Sequence, residues 1–188
     1  MKVNKNLPNY LCITRIMLIP FVLLFLLDNP VVNGIPVYIR MLVSGAVFGI
    51  AMLTDMADGK IARKYNLVSD FGKFLDPIAD KLLVSSAFIA FVQMNLLPAW
   101  IVIIFIAREF IISGFRLVAS DAGIVLAASW WGKFKTAFQM IMCLLLIINL
   151  DYPVLNVIEQ IFIYASLALS IISLIDYLVK NRKVIADM

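Results

Sequence analysis

Apolar stretches recur along the whole of this 188-residue chain, each closed by a short polar break. A membrane-crossing helix needs about 20 mostly apolar residues, and 63% of the chain, roughly 118 residues, is hydrophobic. That is material for five or six spans. Charged residues make up 15%, against about 25% in soluble domains, so there are too few polar side chains to coat a globule of this size. A secreted globule, a disordered chain and a nucleic-acid-binding domain are poor readings, although the net charge is +4. The pattern is that of an all-α integral membrane protein, a bundle of six transmembrane helices.

The breaks place those helices at about 10–28, 36–63, 73–94, 98–119, 131–150 and 154–180. Asp28-Asn29-Pro30 closes the first and Pro36 opens the second. Gln93-Met94-Asn95 and Pro98 divide the third from the fourth, and Asp151-Tyr152-Pro153 divides the fifth from the sixth. Basic residues orient the set. Lys2 and Lys5 precede the first helix; Lys60, Arg63, Lys64 and Lys73 flank the second connection. Arg116, Lys133 and Lys135 flank the fourth, and Lys180, Arg182 and Lys183 follow the last helix. The odd connections hold Asp28 and Asp151 but almost no Lys or Arg. By the positive-inside rule, both termini and the even connections face the cytoplasm, in a multi-pass protein of the cytoplasmic membrane. Arg40 is the exception, expected to snorkel to the outer interface.

Uncharged runs such as 16–27 and 41–54 are short, about 12–15 residues. Polar residues therefore enter the spans from the cytoplasmic side, as a polar cavity open to the cytoplasm requires. No cleavage site follows the first apolar run, which is expected to be a retained span. Without repeats or linkers, residues 1–188 are expected to form one domain.

The chain contains no histidine, which excludes imidazole bases and His-ligated zinc. Cys12 and Cys143 stand far apart, with no thiolate cluster. Any metal must be held by oxygen, favouring Mg or Mn. Oxygen is supplied in one place. Asp55 and Asp58 are spaced i,i+3 at the cytoplasmic end of the second helix, so they share a face. Gly72, Asp76 and Asp80, spaced i,i+4, share a face at the start of the third. A turn around 64–70 folds these ends together. Four carboxylates in a small, partly dry volume repel one another, and two divalent cations sharing bridging carboxylates would relieve that. As a solvated loop the same acids would pair with Lys60, Arg63, Lys64, Lys73 and Lys81; four acids phased across two helix ends fit metal better. Gly59 and Gly72 allow a ligand to approach the backbone, Ala62 keeps the face low, and Arg63 offers a planar fork to phosphate.

The string Asp55-x2-Asp58-Gly59-x2-Ala62-Arg63-x8-Gly72-x3-Asp76-x3-Asp80 resembles the signature of the CDP-alcohol phosphotransferases, with every fixed position and spacing met. The resemblance implies a six-helix membrane fold, a homodimer and a cytoplasm-facing active site. It implies that Asp55, Asp58 and Asp76 bind metal and that Asp80 ligates the second ion and acts as base. Asp58, Gly59, Ala62, Arg63 and Gly72 would then line the CDP-lipid pocket. An acceptor hydroxyl would displace CMP at the lipid-linked phosphorus.

The acceptor distinguishes members of such a family. Arg108 and Glu109 fall in the middle of the fourth span, where ionisable groups are costly unless paired or facing a polar cavity. As alternatives to a binding role, they form an interhelical pair, and Lys133 and Lys135 anchor to anionic lipid. Together Arg108, Arg116, Lys133 and Lys135 supply more cation than a neutral alcohol needs, and they suit a phosphorylated one. Ala107-Arg108-Glu109-Phe110-x2-Ser113-Gly114-x-Arg116 and Gly132-Lys133-x-Lys135-Thr136 also resemble the branch that makes phosphatidylglycerol phosphate. Pro8-Asn9 and Thr14-Arg15 resemble that branch's Pro-Asn-x-x-Thr-x-x-Arg motif, with Cys12 and Ile13 shifting the phase, and place Asn9 and Thr14 at the CDP-lipid. The implied reaction joins CDP-diacylglycerol and glycerol 3-phosphate. Phosphatidylglycerol, inositol phosphate or serine are the alternative acceptors. A divalent-cation transporter is the alternative of another class, although 18–27 and 140–148 offer no polar path outward.

Overall fold

A computed structural model describes residues 7–64, 70–121, 124, 129–150 and 152–182, the side chains of 7–9, 55–64, 70–74, 76 and 121 excepted. Six helices and no strand occur among the described residues: α1 Leu7–Leu26, α2 Val37–Lys64, α3 Asp70–Gln93, α4 Ala99–Asp121, α5 Trp130–Ile148 and α6 Pro153–Lys180. Every end lies within three residues of its expected position.

The ends have identifiable chemistry. Asn29 closes α1: its Nδ2 donates to the carbonyls of Leu24 at 2.7 Å and Leu27 at 3.1 Å, while its Oδ1 accepts from the Val31 N–H. A helix leaves its last carbonyls without internal donors, and a side-chain amide can satisfy them. Asn95 and Asn149, at φ 59° and 42°, turn the chain out of α3 and α5 through the left-handed region, which asparagine tolerates. Pro36 and Pro98 lend their carbonyls to the first N–H groups of α2 and α4, from Ile39 at 3.0 Å and Ile101 at 3.1 Å. Their missing N–H groups cost nothing there.

Two compact units result, one of α1, α2 and α3 with residues 147–149, the other of α4, α5 and α6. In the first, α1 packs on both α2 and α3. Its core includes Val22, Leu26, Phe48, Leu83, Phe88 and Phe91, and the buried Ser44 Oγ donates to the Val22 carbonyl at 3.0 Å. In the second, α4 packs on α6, with Ile101, Phe105, Met142, Leu146 and Ile163 buried.

Many large apolar side chains point outward, among them Met17, Phe21, Leu42, Ile89, Ile103, Phe110 and Ile161. Exposed apolar surface on this scale is what a lipid-facing helix needs. Among the described residues, Val37–Thr54 of α2, all of α5 and all of α6 are long and apolar enough to cross a membrane, and Tyr10–Leu26 is a shorter apolar helix. The other two helices, α3 and α4, carry Asp76, Asp80, Lys81, Arg108, Glu109 and Arg116 within their lengths. Arg40, expected to snorkel to the outer interface, is 6% exposed, and its Nη2 donates to Oδ1 of the exposed Asp28 on the α1–α2 connection at 2.6 Å.

Candidate active site

The aspartates lie on continuous helix. Asp55 and Asp58 fall in the second half of α2, and Asp76 and Asp80 in the first half of α3. The 3.6-residue period puts Asp55 and Asp58 on one face, and Gly72, Asp76 and Asp80 on another. The side chains of Asp55, Asp58, Arg63 and Asp76, with Gly59, Ala62, Gly72 and Asn9, lie outside the described residues. Asp80 is described and half-buried. Beside it Pro77 has no N–H to offer the carbonyl four residues earlier, and Lys81 Nζ donates to the Pro77 carbonyl at 3.4 Å.

On α1, Thr14 is exposed and its hydroxyl donates to the Tyr10 carbonyl at 2.8 Å, leaving the oxygen's lone pairs for a ligand. Arg15, next to it, is 1% exposed. Sequence reasoning quoted Arg15 in a motif without giving it a role. The signal was there, because a guanidinium inside an apolar helix is expensive unless it is used.

The second unit holds a buried polar seam. Glu109 on α4 accepts from Arg108 Nη1 at 2.9 Å and also from Lys135 Nζ of α5, both through Oε1. Arg108 Nε donates to Ser173 Oγ on α6 at 3.2 Å, and that hydroxyl donates to the Ser170 carbonyl at 3.0 Å. Gln139 Nε2 reaches Ser170 Oγ at 3.5 Å. Arg108 and Lys135 are both buried. Two cations thus share one carboxylate, and the trio keeps a net charge of +1. Ser166, Ser170 and Ser173, at i, i+4 and i+7, let α6 present hydroxyls to that seam.

Arg116 and Lys133 behave differently. Both are exposed. The Arg116 guanidinium stands 5.9 Å from the Tyr177 ring, which Phe115 meets edge-on, and Lys133 Nζ stands 4.5 Å over Trp130. Nearby on α6, Asp176 accepts from Ser129 Oγ at 2.5 Å and pairs with Lys180 at 2.7 Å. The four cations expected from sequence therefore separate into a buried pair and an exposed pair. The Arg108–Glu109 pair offered as an alternative is present, but within α4, and it is Lys135 that ties Glu109 to another helix. Ser173, Gln139 and Tyr177 were not assigned roles, since no spacing rule links residues on three different helices.

A family model described as CDP-alcohol phosphatidyltransferase matches residues 5–172. The chain belongs to the CDP-alcohol phosphatidyltransferase family. It is 43% identical over 188 residues to a Bacillus subtilis protein named CDP-diacylglycerol–glycerol-3-phosphate 3-phosphatidyltransferase, covering 94% of this chain and 95% of that one. Proteins with the same name from Rickettsia bellii and Rickettsia prowazekii are 37% and 36% identical, covering 97% and 94% of this chain and 99% and 96% of theirs. In this phosphatidyltransferase the matched stretch takes in the four aspartates, the N-terminal motif and the Glu109 seam as far as Ser170.

Proposed function

We propose that this chain transfers the phosphatidyl group of CDP-diacylglycerol to glycerol 3-phosphate, giving phosphatidylglycerol phosphate and CMP. The observation that carries the reading is its likeness, across nearly the full length of both chains, to relatives named for that reaction.

Asp55, Asp58, Asp76 and Asp80 would hold two divalent cations, Mg or Mn. The fit rests on the donor set: carboxylates in register on two successive helices, in a chain without histidine, suit hard ions that prefer oxygen. Bound there, the ions would neutralise the pyrophosphate and stabilise the oxygen that leaves with CMP. Asn9, Thr14, Asp58, Gly59, Ala62, Arg63 and Gly72 position the CDP-lipid. Asp80 takes the proton of the acceptor hydroxyl. The acceptor oxygen then bonds to the phosphorus that carries diacylglycerol, the bond from that phosphorus to CMP breaks, and CMP departs with the electron pair. Asp80 later returns its proton to solvent.

Arg116 and Lys133 meet the phosphate of glycerol 3-phosphate from their exposed positions, while Arg108 and Lys135 contribute the residual positive charge of the Glu109 trio. A phosphate dianion gains from such a cation set, and a neutral alcohol would not. Without repeats or linkers, the chain is a single catalytic domain; the placement of Lys and Arg sets it in the cytoplasmic membrane with both termini and a polar cavity on the cytoplasmic side. It works as a homodimer.

Asp80→Asn should abolish CMP release while CDP-diacylglycerol binding persists. Turnover retained in that variant would remove Asp80 from the role of base.

A further inference from the structure

Arg40 stands on the first turn of α2, about 22 Å along the helix from Asp55 at 1.5 Å per residue. Its residue is more than nine-tenths buried. One guanidinium nitrogen, Nη2, is taken by Asp28 at 2.6 Å. The other two, Nε and Nη1, are buried without a hydrogen-bond partner among the described residues. Buried guanidinium N–H groups are costly to leave unmatched, and native proteins rarely do so. Beside them is a cavity of about 110 Å³ lined by Phe25, Leu26, Asp28, Val37, Arg40, Met41 and Met94.

We propose that this cavity is a binding site for a phosphate-class oxyanion, with Arg40 Nε and Nη1 as its donors. Phosphate oxygens accept strongly from guanidinium N–H groups, and the space suits a group of that size. Asp28 fixes the guanidinium from the exposed side; its own side chain is 87% exposed. The rim favours the phosphodiester of a membrane lipid over free phosphate. Val37, which lines the cavity, and Val31 and Tyr38, close to it in sequence on the α1–α2 connection and the start of α2, are all more than half exposed, apolar surface that acyl chains would cover and phosphate ion would not. Tyrosine is also a residue of the membrane interface, where lipid phosphates lie.

The test uses the full chain, labelled with ¹⁵N-arginine, in a maltoside detergent that carries no phosphate. The Arg40 Nε–H resonance is identified by its loss in Arg40→Lys, and independently by its displacement in Asp28→Asn, which keeps both donors. Dihexanoylphosphatidylglycerol, inorganic phosphate and dihexanoylglycerol are titrated in turn. The resonance should move saturably with the phospholipid, require about tenfold more inorganic phosphate, and ignore the phosphate-free glyceride. Equal or tighter saturation by inorganic phosphate would keep the oxyanion site and assign it to free phosphate instead of lipid. A resonance unmoved by either phosphate probe, or moved as far by dihexanoylglycerol, would overturn the proposal.

Discussion

Glu109 holds two buried cations with one carboxylate oxygen, so its removal takes the shared counter-charge from both Arg108 and Lys135 in a poorly solvated seam. Breaking a buried charge pair from one side costs about 3–5 kcal/mol. Glu109→Gln should therefore lower the thermal unfolding temperature in detergent by several degrees. Adding Lys135→Met, which removes one of the two buried positive charges, should recover part of the loss; no recovery would mean the carboxylate does not balance that lysine. Arg116 belongs to the opposite class. It is exposed, with its guanidinium 5.9 Å from the Tyr177 ring, and Arg116→Ala should raise KM for glycerol 3-phosphate about tenfold with little change in unfolding temperature. An unchanged acceptor KM would take Arg116 out of the acceptor site. Sequence alone put Arg108, Arg116, Lys133 and Lys135 in one group, because spacing reports charge and helix register but not burial.

The helices themselves were legible because their ends are written in proline and asparagine, whose local chemistry acts wherever the chain is packed. Asn29 and Asn95 act on neighbouring backbone, and such effects survive any tertiary arrangement. What lay across helices was not legible. The serines of α6 drew no assignment from the sequence, yet Ser173 accepts from Arg108. Arg40 read as a lone snorkelling side chain because its partner, Asp28, stands twelve residues earlier, on the α1–α2 connection. The aspartates were the reverse case, their pattern visible from the spacing of just two successive helices. At the start of α5, a Cβ on Gly132 would stand 3.3 Å from Arg108 Nη2, closer than side chains ordinarily approach, whereas a Cβ on Gly45 would meet Ile147 at an ordinary 3.4 Å. Gly132→Ala should shift Arg108 and weaken acceptor saturation, while Gly45→Ala should leave both activity and stability near wild type. Steady-state kinetics of the two variants side by side separates these outcomes, and equal behaviour would contradict the contact between α5 and Arg108.

For the whole molecule, the scarce charge decides orientation and the abundant apolar surface decides solvent. Helices that expose Phe21, Leu42, Ile103 and Ile161 need a lipid surround, and in the proposed orientation the side on which Lys and Arg accumulate would be the side that meets CMP. Cysteines introduced at Lys2 and Lys183 should both react with an impermeant maleimide only from the cytoplasmic face of sealed vesicles. Labelling of the two from opposite faces would require an odd number of crossings. The reaction itself is tested most directly by CMP release from CDP-diacylglycerol, using purified chain in detergent with Mg or Mn and one candidate acceptor at a time. Release that depends on glycerol 3-phosphate, saturates with it, and fails with serine, inositol phosphate and phosphatidylglycerol is the expected result; release supported by one of those and not by glycerol 3-phosphate would contradict it.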